Sequence, residues 1–236
     1  MENKDRVIVA LDTDSLDTAQ ALITNLKGVI SYFKVGKELF TAHGNEALHA
    51  IEASGARCFL DLKYHDIPTT VAKASTVACN KGIAMFNVHA CGGFKMMKSA
   101  REAVDKAAIE NGLFRPLVLA VTVLTSMSEE ELAGEIGVSR TMDEQVVALA
   151  SLAKDAGLDG VVASAKEVTK IKAALGDDFV VVTPGIRPQW AASNDQARVV
   201  TPKDAVAMGV DYMVIGRPIT AAENPREAAE RIIEEI

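Results

Sequence analysis

Apolar residues in this chain are bunched into short runs rather than spread evenly. The runs are Val7–Leu11, Tyr32–Val35, Cys58–Leu62, Met85–His89, Leu117–Val121, Gly160–Ala163, Phe179–Thr183 and Tyr212–Ile215. Each has strand length, and most are rich in Val, Ile, Leu or aromatic residues. Few polar positions interrupt them, so they read as strands covered on both faces, as in a buried parallel sheet. Longer amphipathic stretches lie between the runs. Residues 143–156, for instance, set Val146, Val147, Ala150 and Ala153 at helical spacing.

The intervening stretches also carry helix-boundary signals. Ser128 with Glu131, and Ser164 with Glu167, fit a capping box, in which hydroxyl and carboxylate satisfy orphan N–H groups reciprocally. Asn224-Pro225-Arg226-Glu227 offers an N-cap, a proline at the first helical position and an acid at the third. Gly82, Gly157 and Gly209 stand where helices should close. Strand and helix alternate with no change of composition and no plausible linker. The pattern predicts an α/β fold, a single (β/α)8 TIM barrel over residues 1–236. A doubly wound open sheet is the competing architecture, but no Gly-x-Gly-x-x-Gly follows the first run to make a dinucleotide site.

Composition narrows the function. Hydrophobic residues make up 49% and aromatics only 5%, so the expected core is built from Ala, Val, Leu and Ile. The net charge of −7 disfavours general binding to nucleic acid or anionic membrane. An anionic substrate must therefore meet locally placed Lys, Arg and N–H groups. The first residues lack a signal-peptide apolar core, and no run is long enough to span a bilayer. Cys58, Cys79 and Cys91 are odd in number and without metal-ligand spacing, and read as reduced core thiols of a cytoplasmic protein. His43, His49 and His65 likewise show no metal spacing, and His89 at a strand end reads as structural. Lys37 and Glu38 read as a solvated turn pair.

The densest chemical signal is Asp61-Leu62-Lys63-Tyr64-His65-Asp66-Ile67-Pro68-Thr69-Thr70. Alternation along a strand puts Asp61 and Lys63 on one side, with Asp66 just beyond, where the chain turns toward a helix. Charges at the mouth of an apolar strand are costly unless they pair or do chemistry. Two readings compete: a structural ion-pair network, or a catalytic lysine held protonated between carboxylates.

Position discriminates between them. In a barrel the functional face lies at the C-terminal strand ends. The first strand ends at Asp12, the second carries Lys34, and the third ends with Asp61 and Lys63. Four charges on three neighbouring strands are hard to explain as caps. A phosphate signal is separate from these. Pro184-Gly185-Ile186-Arg187 follows the seventh strand and Gly216-Arg217-Pro218 the eighth, the loops with which barrels frequently hold phosphate. Gly216 allows close backbone approach, and Arg217 supplies a planar fork for phosphate oxygens. The segment 184–200, with Trp190, Ser193, Asn194 and Gln196, lacks periodicity and reads as a lid.

These residues together resemble the orotidine 5′-monophosphate decarboxylase family, over essentially the whole chain. Asp61-x-Lys63-x-x-Asp66-Ile67-Pro68-x-Thr70 matches its signature, and Lys34 in Phe33-Lys34-Val35-Gly36 matches its strand-two lysine. The resemblance implies that Asp61, Lys63, Lys34 and Asp66 are catalytic and that Asp12 holds the ribose. It further implies that Thr125 bonds the pyrimidine and that Arg187, Gln196, Gly216 and Arg217 bind substrate, Gln196 and Arg217 at the phosphate. Ile67 and Thr70 join the substrate-binding set, and Asp66 and Thr70 reach into the partner's site of a homodimer.

The implied reaction suits the residues. Loss of CO2 from C6 leaves an in-plane carbanion, and no cofactor motif offers an electron sink, so fixed charge must stabilise it. Carboxylates beside Lys63 keep it an ammonium, which suits proton donation and disfavours a Schiff base. Two roles stay open for Asp61: repelling the departing carboxylate, or orienting Lys63. Two other functions also stay open. The motif resembles that of Mg2+-dependent keto-sugar-phosphate decarboxylases and hexulose-phosphate synthases, which carry a strand-two acid where this chain has Lys34. A non-catalytic phosphate-ligand binder is the third reading.

Overall fold

The computed structural model describes residues 2–191 and 200–236. Eight parallel strands close into a barrel in chain order: β1 (Val7–Ala10), β2 (Tyr32–Gly36), β3 (Arg57–Tyr64), β4 (Met85–His89), β5 (Leu117–Val121), β6 (Gly160–Val162), β7 (Val180–Pro184) and β8 (Tyr212–Ile215). Helices connect them, as right-handed parallel crossovers require. The fold is a (β/α)8 barrel, and each of the eight apolar runs forms a strand. Every residue of β1 and β2 is buried, which explains why their sequences do not alternate.

Packing divides the chain into two compact units, Met1–Leu62 with Thr183–Ile236, and Lys63–Val182. In the first, β2 pairs with β1 and β3 in a register that aligns Ala10 with Lys34 and Lys34 with Phe59. The Leu11 N–H donates to the Lys34 carbonyl at 3.0 Å and carries the ladder one residue past β1. Its core includes Val9, Leu11, Phe33, Val35, Phe59 and Ile215. Among the described residues, the buried Thr183 hydroxyl has no hydrogen-bond partner.

In the second unit, the Asp159 carboxylate organises the starts of β5 and β6. It accepts from the Arg115 guanidinium at 2.6 and 2.9 Å, from Arg101 at 3.1 Å and from the Val118 N–H at 2.8 Å. The Asp159 bond and charge hold the Arg115 guanidinium more firmly protonated, against the opposing effect of burial. Gly160 follows at once for a steric reason. A Cβ there would lie 2.1 Å from the Val180 carbonyl oxygen of the neighbouring strand.

Helix boundaries mostly follow the sequence signals. Ser128 and Glu131 form the reciprocal capping box, and Asn224 caps the helix Pro225–Glu235 by accepting from the Glu227 N–H. Thr141 and Glu144 make a further box at the head of Met142–Asp155. Ser164 departs from expectation. Its hydroxyl accepts from the Lys166 N–H rather than the Glu167 N–H and starts a 3-10 turn, Ala165–Glu167. Only the half of the box in which the Glu167 carboxylate bonds Ser164 therefore forms. Glu167 ends up buried, and burial raises its carboxyl above the usual range.

Three other expectations are corrected. Lys37 and Glu38 are exposed, but they form the first turn of the helix Lys37–His43, not a turn pair. Cys58 and Cys79 are buried thiols, with burial pushing Cys58 up to about 12, whereas Cys91 is exposed and is no part of the core. Strand β3 runs on to Tyr64, two residues beyond the apolar run. Among the described residues, no helix is long and apolar enough to cross a membrane.

Candidate active site

Lys34 is the organising cation of the first unit. Its backbone belongs to a fully buried strand, and its side chain is only 10% exposed. The ammonium Nζ donates to Asp12 Oδ1 at 2.9 Å and lies 3.4 Å from Asp61 Oδ2. Asp12 stands in the loop after β1 and is largely exposed, while Asp61 on β3 is nearly as enclosed as Lys34. Stripping Asp61 from the buried Lys34 costs about 3–5 kcal/mol, because a charge is left without compensation, whereas the solvent-exposed Asp12 contributes much less. The room for this cluster comes from Gly36, where a Cβ would stand 3.0 Å from Lys34 Nζ and 3.4 Å from Asp12 Oδ1.

A second group of cations faces a cleft of about 350 Å3 in the same unit. Arg187, Trp190 and Arg217 line it with Pro218 and Ala221. The Arg187 N–H donates to the Val200 carbonyl at 3.1 Å, pinning the chain after β7. Gly216 precedes the short helix Arg217–Thr220, and its carbonyl accepts from the Ile219 and Thr220 N–H groups. The Arg231 guanidinium lies 4.7 Å from the centre of the Trp190 ring, a cation–π contact that fixes one wall. Two guanidiniums on one small cleft suit a phosphate. Gln196, and most of the segment read as a lid, lie outside the described residues.

Lys63 has a backbone that alternation did not foresee. Its φ is +54°, the one positive value among the described non-glycine residues. The left-handed region costs a side-chain-bearing residue about 1–2 kcal/mol. The Lys63 N–H donates to Asn87 Oδ1 at 2.8 Å, and Asn87 on β4 is 1% exposed. A net hydrogen bond of about 0.5–1.5 kcal/mol offsets much of that strain. The simple two-residue rule linking Asp61 and Lys63 therefore fails at Lys63, where the strand leaves extended geometry.

The remaining positions in the second unit are open to solvent. Asp66 Oδ1 accepts from the Ile67 N–H at 2.6 Å, and Ile67 caps the helix Pro68–Cys79. Asp66, Ile67 and Thr70 are exposed, Ile67 at 65% despite its apolar side chain. Thr125 is also exposed and sits in a turn beyond β5 rather than on the strand. It lines a cleft of about 510 Å3 with Ser164, Lys166, Glu167 and Lys170. The His65 and His89 rings stand 5.5 Å apart. Among the described residues, no three His, Cys, Asp or Glu side chains are grouped to hold a metal.

Comparison with known proteins points to one family. The model of the orotidine 5′-phosphate decarboxylase / HUMPS family matches residues 5–232. Two curated relatives, both named orotidine 5′-phosphate decarboxylase, align with all of this chain. That of Syntrophotalea carbinolica is 51% identical with 96% of its length covered, and that of Heliobacterium modesticaldum 49% with 97%. A crystal structure of orotidine 5′-phosphate decarboxylase from Lactobacillus acidophilus superposes with a TM-score of 0.87 at 41% identity, covering 98% of each chain.

The Arg187–Trp190–Arg217 cleft yields a direct test. Titration with a nucleoside 5′-monophosphate should change Trp190 emission. Arg217→Ala should weaken that binding by roughly 10- to 100-fold, the value of a charge-assisted hydrogen bond. Equal affinity in the variant would place the phosphate elsewhere.

Proposed function

The chain belongs to the orotidine 5′-phosphate decarboxylase / HUMPS family, and we propose that it converts orotidine 5′-monophosphate to uridine 5′-monophosphate in de novo pyrimidine biosynthesis. The whole span 1–236 acts as one catalytic barrel, without metal or organic cofactor, and in the cytoplasm. The observation that carries this reading is Lys34. Its ammonium, paired with Asp12 and Asp61, occupies the β2 position where Mg2+-dependent relatives need an acid. A fixed cation there repels a metal and disfavours the keto-sugar branch.

The proposed chemistry follows from charge. The bond from C6 to the carboxylate breaks, and its electron pair stays on C6 as CO2 departs. Lys63 then gives one ammonium proton to C6, becomes a neutral amine and recovers a proton from solvent. Asp61 lies beside the departing group, and Asp66 supports the charged set. Fixed charges of this kind need no reorganisation as the carbanion forms. Asp12 holds the ribose, Thr125 bonds the pyrimidine, and Ile67 and Thr70 join the substrate-binding set. Arg187, Gln196, Gly216 and Arg217 take the phosphate side. Binding energy from the phosphate, remote from C6, can be used to orient the reacting end. No nucleic acid or membrane enters this reading.

Lys63→Ala tests the chemistry. Turnover of orotidine 5′-monophosphate should fall by at least the roughly 10²–10⁴-fold of general acid catalysis, because the electrostatic role disappears as well. Uridine 5′-monophosphate should still bind through the arginines. Near-normal turnover, in preparations free of wild-type protein, would refute the role of Lys63.

The exposure of Asp66, Ile67 and Thr70 supports a homodimer with shared sites. In a two-fold dimer, Asp66 and Thr70 of each subunit would serve the neighbour while Lys63 serves its own barrel. Homodimers of Lys63→Ala and of Asp66→Ala should each be nearly inactive. After subunit exchange, the mixed dimer carries both defects in one site and leaves the other intact. Activity should return toward one working site per mixed dimer; verified exchange without recovery would place Asp66 in its own barrel.

A further inference from the structure

Resting on the assignment of Lys63 as proton donor, we propose that Asn87 is the positioning residue that aims it. Asn87 is a polar side chain in the middle of β4, where Met85, Phe86 and Val88 are all fully buried and apolar. An amide at 1% exposure in such a strand must earn its place through hydrogen bonding. Its Oδ1 is spent on the backbone N–H of Lys63, at 2.8 Å. That N–H belongs to the one described non-glycine residue held at positive φ.

The two observations explain each other. A lysine in regular β geometry would send its side chain where alternation dictates. At φ +54° the Cα–Cβ bond leaves the strand in a different direction, and the long side chain multiplies the change at Nζ. Lysine has no intrinsic preference for this region, so the surroundings must impose it. The Asn87 acceptor is fixed on a central strand, paired with Leu119 of β5. It captures the Lys63 N–H in the orientation that the left-handed backbone presents. Asn87 thus acts on the reaction through Lys63, by the direction in which the ammonium points.

A positioning role separates rate from binding. In Asn87→Ala, kcat for orotidine 5′-monophosphate should fall by roughly 100-fold, the loss expected when a catalytic group shifts by about an ångström. The affinity for uridine 5′-monophosphate should stay within a few-fold of wild type. Exchange of the C6 proton of uridine 5′-monophosphate with deuterated solvent isolates the proton-transfer step, and it should slow in parallel with kcat. A crystal structure of the variant should show Lys63 relaxed toward negative φ. Asn87→Asp keeps an acceptor oxygen and should recover most of the lost rate, and it decides the matter if Asn87→Ala does not fold. Unchanged kcat and exchange in Asn87→Ala, loss of nucleotide binding in proportion to kcat, or an inactive Asn87→Asp that still binds nucleotide would each overturn the proposal. Wild-type protein without decarboxylase activity would instead remove the assignment on which it rests.

Discussion

A buried ammonium must be neutralised where it stands, and Lys34 imposes that requirement on the elements around it. It is carried by a strand with no exposed residue, and its side chain is only 10% exposed. The two carboxylates that answer it come from the loop after β1 and from β3. The pairing of β2 with both neighbours brings those elements to it, and Gly36 keeps the space clear of a side chain. Desolvation alone would make such a cluster a liability, since apolar residues of similar volume often serve stability as well or better. Its retention fits a preorganised electrostatic site, in which charges are fixed before the reaction begins.

The same constraint bears on which branch of the family chemistry the chain performs. A divalent cation and a fixed ammonium compete for the same carboxylates. Lys34 already holds Asp12 at 2.9 Å and stands 3.4 Å from Asp61, so a metal on these carboxylates would lie beside its positive charge. In the proposed reading, recognition of the phosphate falls to a different set of groups, the guanidiniums of Arg187 and Arg217 that line the cleft. Separate devices for anchoring and for chemistry allow the remote end of a substrate to supply binding energy to the reacting end.

Much of the fold was legible because the buried strands are predominantly apolar runs and several helices start at Ser, Thr or Asn caps. Lys34, Asp61 and Asp12 were legible for the same reason, as charges interrupting or ending apolar strands. The rest depends on tertiary context. Positive φ at Lys63 leaves no trace in a lysine's identity, and the alternation rule that placed it assumes regular geometry. Asn87 could have been noticed as the lone amide within an apolar strand, a buried polar residue that requires a partner. Ser164 and Glu167 had the spacing of a capping box, yet the chain there tightens into a 3-10 turn that redirects the hydroxyl.

The central claim is that fixed protein charge, with Lys34 in place of a metal, suffices for decarboxylation. It is tested most directly by stripping the protein with a strong chelator and following the pyrimidine absorbance of orotidine 5′-monophosphate with chelator still present. The account predicts conversion to uridine 5′-monophosphate at the untreated rate, unaffected by added Mg2+. Activity that vanishes with chelator and returns with Mg2+ would contradict it.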